Sequence, residues 1–210
     1  MQEFSPTRRR IGIMGGSFDP VHSGHLVVAS DAIEALRLDR VWFLPAALPP
    51  HKLDRNRAPA EDRLEMLRLA TADDPRFEVS DVELRRGGVS YTVDTLESLR
   101  SEWPDVDWTL ILGSDGLVEL HTWREVDRLL GLCEPAVFVR PGTDRRSRIE
   151  AALRANGMPA DRLMKRLFDA HRFEVSSTEV RERIASGRSV RYLLPDAVER
   201  YVRRRGLYGS

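Results

Sequence analysis

Residues 10–25 read Arg10-Ile11-Gly12-Ile13-Met14-Gly15-Gly16-Ser17-Phe18-Asp19-Pro20-Val21-His22-Ser23-Gly24-His25. A short apolar run closing on two glycines is the pattern of a buried strand entering a tight loop. From Ser23 to Arg37, Leu26, Ala29, Ile33 and Leu36 recur at helical spacing, so a helix follows at once. Strand, glycine loop and helix together open a βα unit.

Outward from that unit the alternation repeats. Strands are expected at Val41–Leu44, Phe77–Leu84, Trp108–Leu112, Ala136–Val139 and Phe173–Val175. Helices are expected at Glu61–Asp73, Thr92–Glu102, Trp123–Leu130, Ser147–Ala155, Ser177–Ala185 and Asp196–Arg205, the last with Asp196 as N-cap and Gly206 as C-cap. Pro45 to Pro59 reads as a long loop and Gly87-Gly88 as a turn. This order predicts an α/β fold: a Rossmann-like doubly wound parallel sheet with helices on both faces. A small C-terminal helical part is expected over about 176–210. Residues 1–9 read as a disordered lead-in and 10–210 as one domain.

The 210 residues carry 33 Lys+Arg and 33 Asp+Glu, a formal net charge of zero. That balance argues against a bulk nucleic-acid binder. No apolar run approaches the roughly 20 residues of a membrane span. The single cysteine, Cys133, excludes a disulfide framework or a cysteine-based zinc site within one chain, and fits a reducing, cytoplasmic setting. Whether copies of the chain associate stays open.

Ligands of such sheets bind beyond the carboxyl ends of the strands, and two strand-to-helix junctions carry chemistry. The first, Gly15 to His25, is neither a P-loop nor a dinucleotide fingerprint. Its glycines let backbone amides approach a ligand, and His25 opens a helix whose free N–H groups attract phosphate. His22 and His25 can donate hydrogen bonds to phosphate oxygens as charge builds. The plain alternative is a glycine turn with capping histidines. The second junction is Val175-Ser176-Ser177-Thr178-Glu179-Val180-Arg181. Ser176 and Glu179 are spaced as a capping box. Three hydroxyls in a row exceed the need of one cap, and Arg181 shares a helix face with Ser177 and Thr178. Cap and polyphosphate clamp both remain open on the residues alone.

Together the two junctions resemble the nucleotidyltransferase superfamily marked by an H-x-G-H element and a downstream S-S/T-x-x-R element. Within it the chain resembles the bacterial nicotinate-nucleotide adenylyltransferases from Ile11 to Tyr208. The matching residues include Gly15 to His25, Pro49-Pro50-His51-Lys52, Tyr91-Thr92, Gly113-Ser114-Asp115, Trp123, Arg140-Pro141-Gly142 and Ser176-Ser177-Thr178. Ser17 and Ser114 depart from the commoner threonine and alanine.

The resemblance implies a transferase of NAD biosynthesis that moves the adenylyl group of ATP to nicotinate mononucleotide, releasing pyrophosphate. Mg²⁺ would ride on the ATP phosphates, with no protein metal site. The resemblance assigns catalysis to His22, His25 and Arg181. It assigns ATP to Gly15, Gly16, Ser17, Phe18, His22, His25, Asp115, Ser176, Ser177, Thr178 and Arg181. It assigns the mononucleotide to Gly16, Ser17, His51, Lys52, Tyr91, Thr92, Trp123 and Arg140. Asp115 would hold a ribose hydroxyl, Trp123 would stack on the pyridine ring, and Tyr91-Thr92 would meet its carboxylate. The rivals are a sister enzyme using nicotinamide mononucleotide or pantetheine phosphate, a non-catalytic nucleotide-binding module, and a dinucleotide-dependent oxidoreductase.

Overall fold

The computed structural model describes residues 8–49, 57–139 and 145–210. Among the described residues six strands form one sheet: β1 (Arg9–Gly16), β2 (Arg40–Pro45), β3 (Phe77–Val79), β4 (Val106–Gly113), β5 (Glu134–Val139) and β6 (Leu167–Asp169). The order is β3-β2-β1-β4-β5-β6, and every pairing is parallel. The order reverses at β1, between β2 and β4, which places the crevice of a doubly wound sheet at the end of β1.

The strand period of two sorts side chains to opposite faces. Met14, Phe43, Ile111 and Phe138 enter one core, under α1 (Ser23–Leu36), α2 (Ala60–Thr71), α9 (Ser177–Ala185) and α10 (Asp196–Arg205). Ile13, Leu44, Leu112 and Val137 enter the other. It lies under α4 (Thr92–Glu102), α5 (Ser114–Val118), α6 (Val126–Leu132), α7 (Arg145–Ala155) and α8 (Ala160–Met164). At Gly12 a Cβ would sit 2.6 Å from Ile111 Cδ1 and 2.7 Å from Leu38 Cδ1, so the glycine lets the first core close on β1.

Several expectations change. Phe77–Leu84 is not one strand: β3 stops at Val79, and α3 (Val82–Arg86) buries Glu83. Phe173–Val175 joins no strand; the sheet's last member is β6, held by Val137, Phe138 and Val139 of β5. Trp123 precedes α6, which begins at Val126, because Trp123 is extended (φ −74°, ψ 143°) after a 3₁₀ turn over Leu120–Thr122. The N-cap of α10 is Pro195, with Asp196 in the first turn, while Gly206 caps the far end in the left-handed region (φ 61°) as expected. β1 begins at Arg9, so the strand reaches one residue into the proposed lead-in.

The C-terminal helix is tied to α2 through a buried carboxylate. Tyr201 OH donates to Asp62 Oδ1 at 2.6 Å, and Arg205 Nε donates to the same oxygen at 3.0 Å. Burial pushes the Asp62 carboxyl up, but these hydrogen bonds outweigh it and leave the group below the ordinary 3.8. Asp62→Asn should therefore cost about 1–3 kcal/mol at neutral pH. Most of that loss belongs to the Tyr201 bond, because Arg205 is exposed. A carboxyl held low stabilises the fold above its unfolded value and stops doing so as pH falls through the folded value. Denaturant titrations should show wild type and variant converging below the ordinary 3.8; a gap that stays constant through that lower range would contradict the assignment.

Candidate active site

Two cavities open at the carboxyl ends of β1 and β4 and share Gly15, Ser17, Leu112 and Trp123. The first, about 460 Å³, is mainly apolar and is lined by Leu44, Tyr91, Thr92, Val93, Trp123 and Arg124 among others. The second, about 780 Å³, gathers His22, His25, Asp115, Ser177, Thr178 and Arg181.

His22 and His25 are fixed by the start of α1. His22 is the N-cap, and its backbone N–H donates to His25 Nδ1 at 3.2 Å. An accepting Nδ1 leaves the ring proton of a neutral His25 on Nε2. The two rings stack with centroids 3.7 Å apart, and the His25 ring packs edge-on to Phe18 at 5.0 Å. Gly24 lets this happen. A Cβ there would stand 2.9 Å from Val175 Cγ1 and 3.1 Å from His22 Nδ1.

The hydroxyls of α9 divide their work. Ser176 Oγ caps the helix by accepting from Glu179 N–H at 3.1 Å. Ser177 Oγ donates to the Pro20 carbonyl at 2.9 Å, stapling α9 to the β1–α1 loop. Thr178 Oγ1 accepts from Arg181 Nη2 at 3.3 Å, while Arg181 Nη1 donates to the Asp19 carbonyl at 2.8 Å. Cap and converging hydroxyl face are thus both present.

Not every candidate converges. Phe18 is buried against Phe43 and His25, and its side chain lines neither cavity. Gly16 lines the first cavity only. Asp115 lies exposed in the first turn of α5, whose N-cap is Gly113, and lines the second cavity. Thr92 is the first residue of α4 and Tyr91 its N-cap, with no side-chain cap bond, and both line the first cavity. His51, Lys52 and Arg140 lie outside the described residues.

A cytidylyltransferase-like family model matches residues 13–183. A probable nicotinate-nucleotide adenylyltransferase of Citrifermentans bemidjiense is 43% identical over 211 residues, covering 95% of this chain and 98% of its own length. One of a Roseiflexus species is 46% identical over 200 residues, covering 94% of this chain and 97% of its own length. The chain belongs to the nicotinate-nucleotide adenylyltransferase family. The Plasmodium falciparum nicotinic acid mononucleotide adenylyltransferase complexed with NaAD shares the fold, with a TM-score of 0.75 at 18% identity over 95% of this chain and 97% of that one.

The structure of this family member also places residues at the first cavity that the sequence pattern did not mark. Glu83 lines it from below; burial pushes its carboxyl up, against hydrogen bonds from Thr95 and Ser90. Thr95 Oγ1 donates to Glu83 Oε1 at 2.8 Å and accepts from Arg86 Nη2 at 2.8 Å. Ser90 N–H donates to the Leu48 carbonyl at 3.0 Å, and Ser90 Oγ accepts from Ala47 N–H at 2.9 Å. Arg124 covers the Tyr91 ring at 4.7 Å. A lone glutamate on a five-residue helix leaves no periodic signal, so only the fold reveals it.

Gly24→Ala should damage both fold and site. Alanine's helix preference is worth at most about 1 kcal/mol, whereas overpacking costs about 1–3 kcal/mol. The variant should melt earlier and turn over more slowly, because His22 must move. Wild-type melting would show that α1 can shift freely off Val175.

Proposed function

We propose that this chain joins MgATP and nicotinate mononucleotide into the deamido dinucleotide, releasing pyrophosphate. The observation that carries the reading is the meeting of two unlike cavities at Trp123. One is lined by imidazoles, hydroxyls and a guanidinium; the other is apolar and faces the α4 N-terminus.

In the reaction a phosphate oxygen of the mononucleotide attacks the α-phosphorus of ATP. The bond from that phosphorus to the bridging oxygen breaks, and its electron pair leaves with pyrophosphate. Charge accumulates on the phosphate oxygens, so a protein that holds the partners in line and supplies donors needs no nucleophile of its own. His25 presents its Nε2 proton because Nδ1 is engaged by His22 N–H. His22, one residue outside α1, works with the helix N-terminus on the same charge. Arg181, Thr178 and the N-terminal turn of α9 hold the departing phosphates, with Ser177 Oγ staying on the Pro20 carbonyl, and Asp115 takes a ribose hydroxyl. Magnesium brought in on the ATP phosphates would neutralise part of their charge.

The pyridine ring fits the first cavity against the half-buried Trp123 indole. Its carboxylate meets the first turn of α4, whose N–H groups receive no side-chain cap. The Arg124 guanidinium lines the same wall over the Tyr91 ring, its charge shared with the Asp94 and Glu125 carboxylates at 3.4 and 3.3 Å.

Two measurements test this. His25→Ala should lower kcat by roughly 10²–10³, as loss of a transition-state donor does. It should also lower the melting temperature slightly, because the acceptor for His22 N–H is lost; near-wild-type turnover would remove His25 from the chemistry. The acid mononucleotide should be used in preference to the amide, whose NH₂ would face donors at roughly 5- to 150-fold cost per mismatch. Thr92→Val should narrow that ratio, whereas Trp123→Ala should lower kcat/KM for both substrates alike. Equal use of acid and amide by the wild type would defeat the carboxylate assignment and leave adenylyl transfer standing.

A further inference from the structure

Asp19 lies at the end of the glycine loop with its side chain 7% exposed, and it is surrounded by cations. Arg57 Nε stands 3.8 Å from Asp19 Oδ2, and Arg181 Nη1 stands 3.9 Å from the same oxygen. The other oxygen, Oδ1, is already engaged. It accepts from Tyr208 OH at 2.7 Å and from Ala58 N–H at 3.0 Å. A third guanidinium, that of Arg63, is attracted by Asp19 and repelled by Arg57.

Asp19 thus faces three guanidiniums, and Glu61 also attracts that of Arg63. Arg63 spends its donors on the carbonyls of Ser17, Ala58 and Ala47, so it holds loops together. Arg57 and Arg181 line the larger cavity with His22 and His25, Arg181 while also donating to the Asp19 carbonyl. Cationic forks converging on a concave wall are the complement of a polyanion, and a guanidinium matches phosphate oxygens two at a time.

We propose that Arg57 binds the triphosphate of ATP beside Arg181, and that Asp19, backed by Tyr208, is the positioning residue that sets both guanidiniums. This rests on the adenylyl-transfer reading, which assigns the larger cavity to ATP. It adds at the loop's far end a phosphate contact that the sequence did not mark, while Lys52 lies outside the described residues. Tyr208, near the end of the chain, thereby reaches the reacting phosphates through a single hydrogen bond and a carboxylate.

The test is calorimetric titration of the full chain with ATP alone and, separately, with nicotinate mononucleotide alone. Arg57→Ala should weaken ATP roughly 10- to 100-fold, as loss of a charge-assisted pair does, and leave the mononucleotide unchanged. Arg57→Lys should restore part of the affinity, because it returns the charge without the fork. Tyr208→Phe should weaken ATP roughly 2- to 10-fold, and that factor should shrink in the double variant, because Tyr208 acts through Asp19 on Arg57. Should Arg57→Ala melt early, Arg57→Lys decides. ATP affinity below wild type at an unchanged melting temperature supports the proposal, and wild-type affinity overturns it. Unchanged ATP binding by a well-folded Arg57→Ala overturns it too, as does a loss confined to the mononucleotide. A wild type that binds ATP but releases no pyrophosphate overturns adenylyl transfer, while the ATP titrations still decide the role of Arg57. A wild type that binds no ATP overturns both.

Discussion

The side chain of Arg63 is 1% exposed, yet it donates to three carbonyls: Ser17 in the β1–α1 loop, Ala47 after β2, and Ala58 before α2. A buried charge survives only when its donors are met, and burial alone pushes this guanidinium down from its ordinary value. The carbonyls of irregular backbone are equally costly to bury without donors. Each need answers the other, and the loops that wall both cavities are held by one side chain from a regular helix. Asp19 completes the arrangement by accepting from Ala58 N–H and by countering the cations around it.

On this scaffold, structural and chemical roles fall on the same groups. His22 caps α1 and faces the larger cavity; the His25 Nδ1 that closes the cap also sets where the ring's proton points. Ser177 ties α9 to the Pro20 carbonyl, bringing the second junction against the first although 157 residues separate them. The segment before α10 joins the same point, since Ser23 N–H donates to the Leu193 carbonyl at 2.8 Å. Positioning of this kind is what phosphoryl-type transfer asks of a protein.

The two cavities differ because the sheet has two faces. The larger lies toward α1 and α9, whose first turns bring donors to the carboxyl end of β1. The smaller lies toward α4, where Leu44, Leu110 and Leu112 continue the second core up to Trp123. A charged triphosphate and a flat aromatic ring can therefore be held apart by polarity and still meet over Gly15, where a Cβ would find nothing within 4 Å.

The local pattern of the chain carried the architecture. Apolar runs ending in glycine, helical spacing after Ser23, Thr92 and Ser177, and the two motif junctions follow from steric and periodic rules that act over a few residues. Where local rules compete, the tertiary structure chose. Phe77–Leu84 alternates like a strand, but the ladder with β2 holds Phe77, Glu78 and Val79, ends on a bond from Ser80 N–H to the Phe43 carbonyl, and the chain then turns into α3. Leu167–Asp169 has little pattern of its own and becomes a strand because Val137, Phe138 and Val139 offer an open edge. Phe18 reads as a loop residue beside a ligand, yet packing against Phe43 removes it into the core. Arg57, Arg63, Glu83, Arg124 and Tyr208 have no signature at all. Their roles depend on neighbours brought from distant parts of the chain, as with Tyr208 and Asp19 at a separation of 189 residues, and no short-range periodicity records such a meeting.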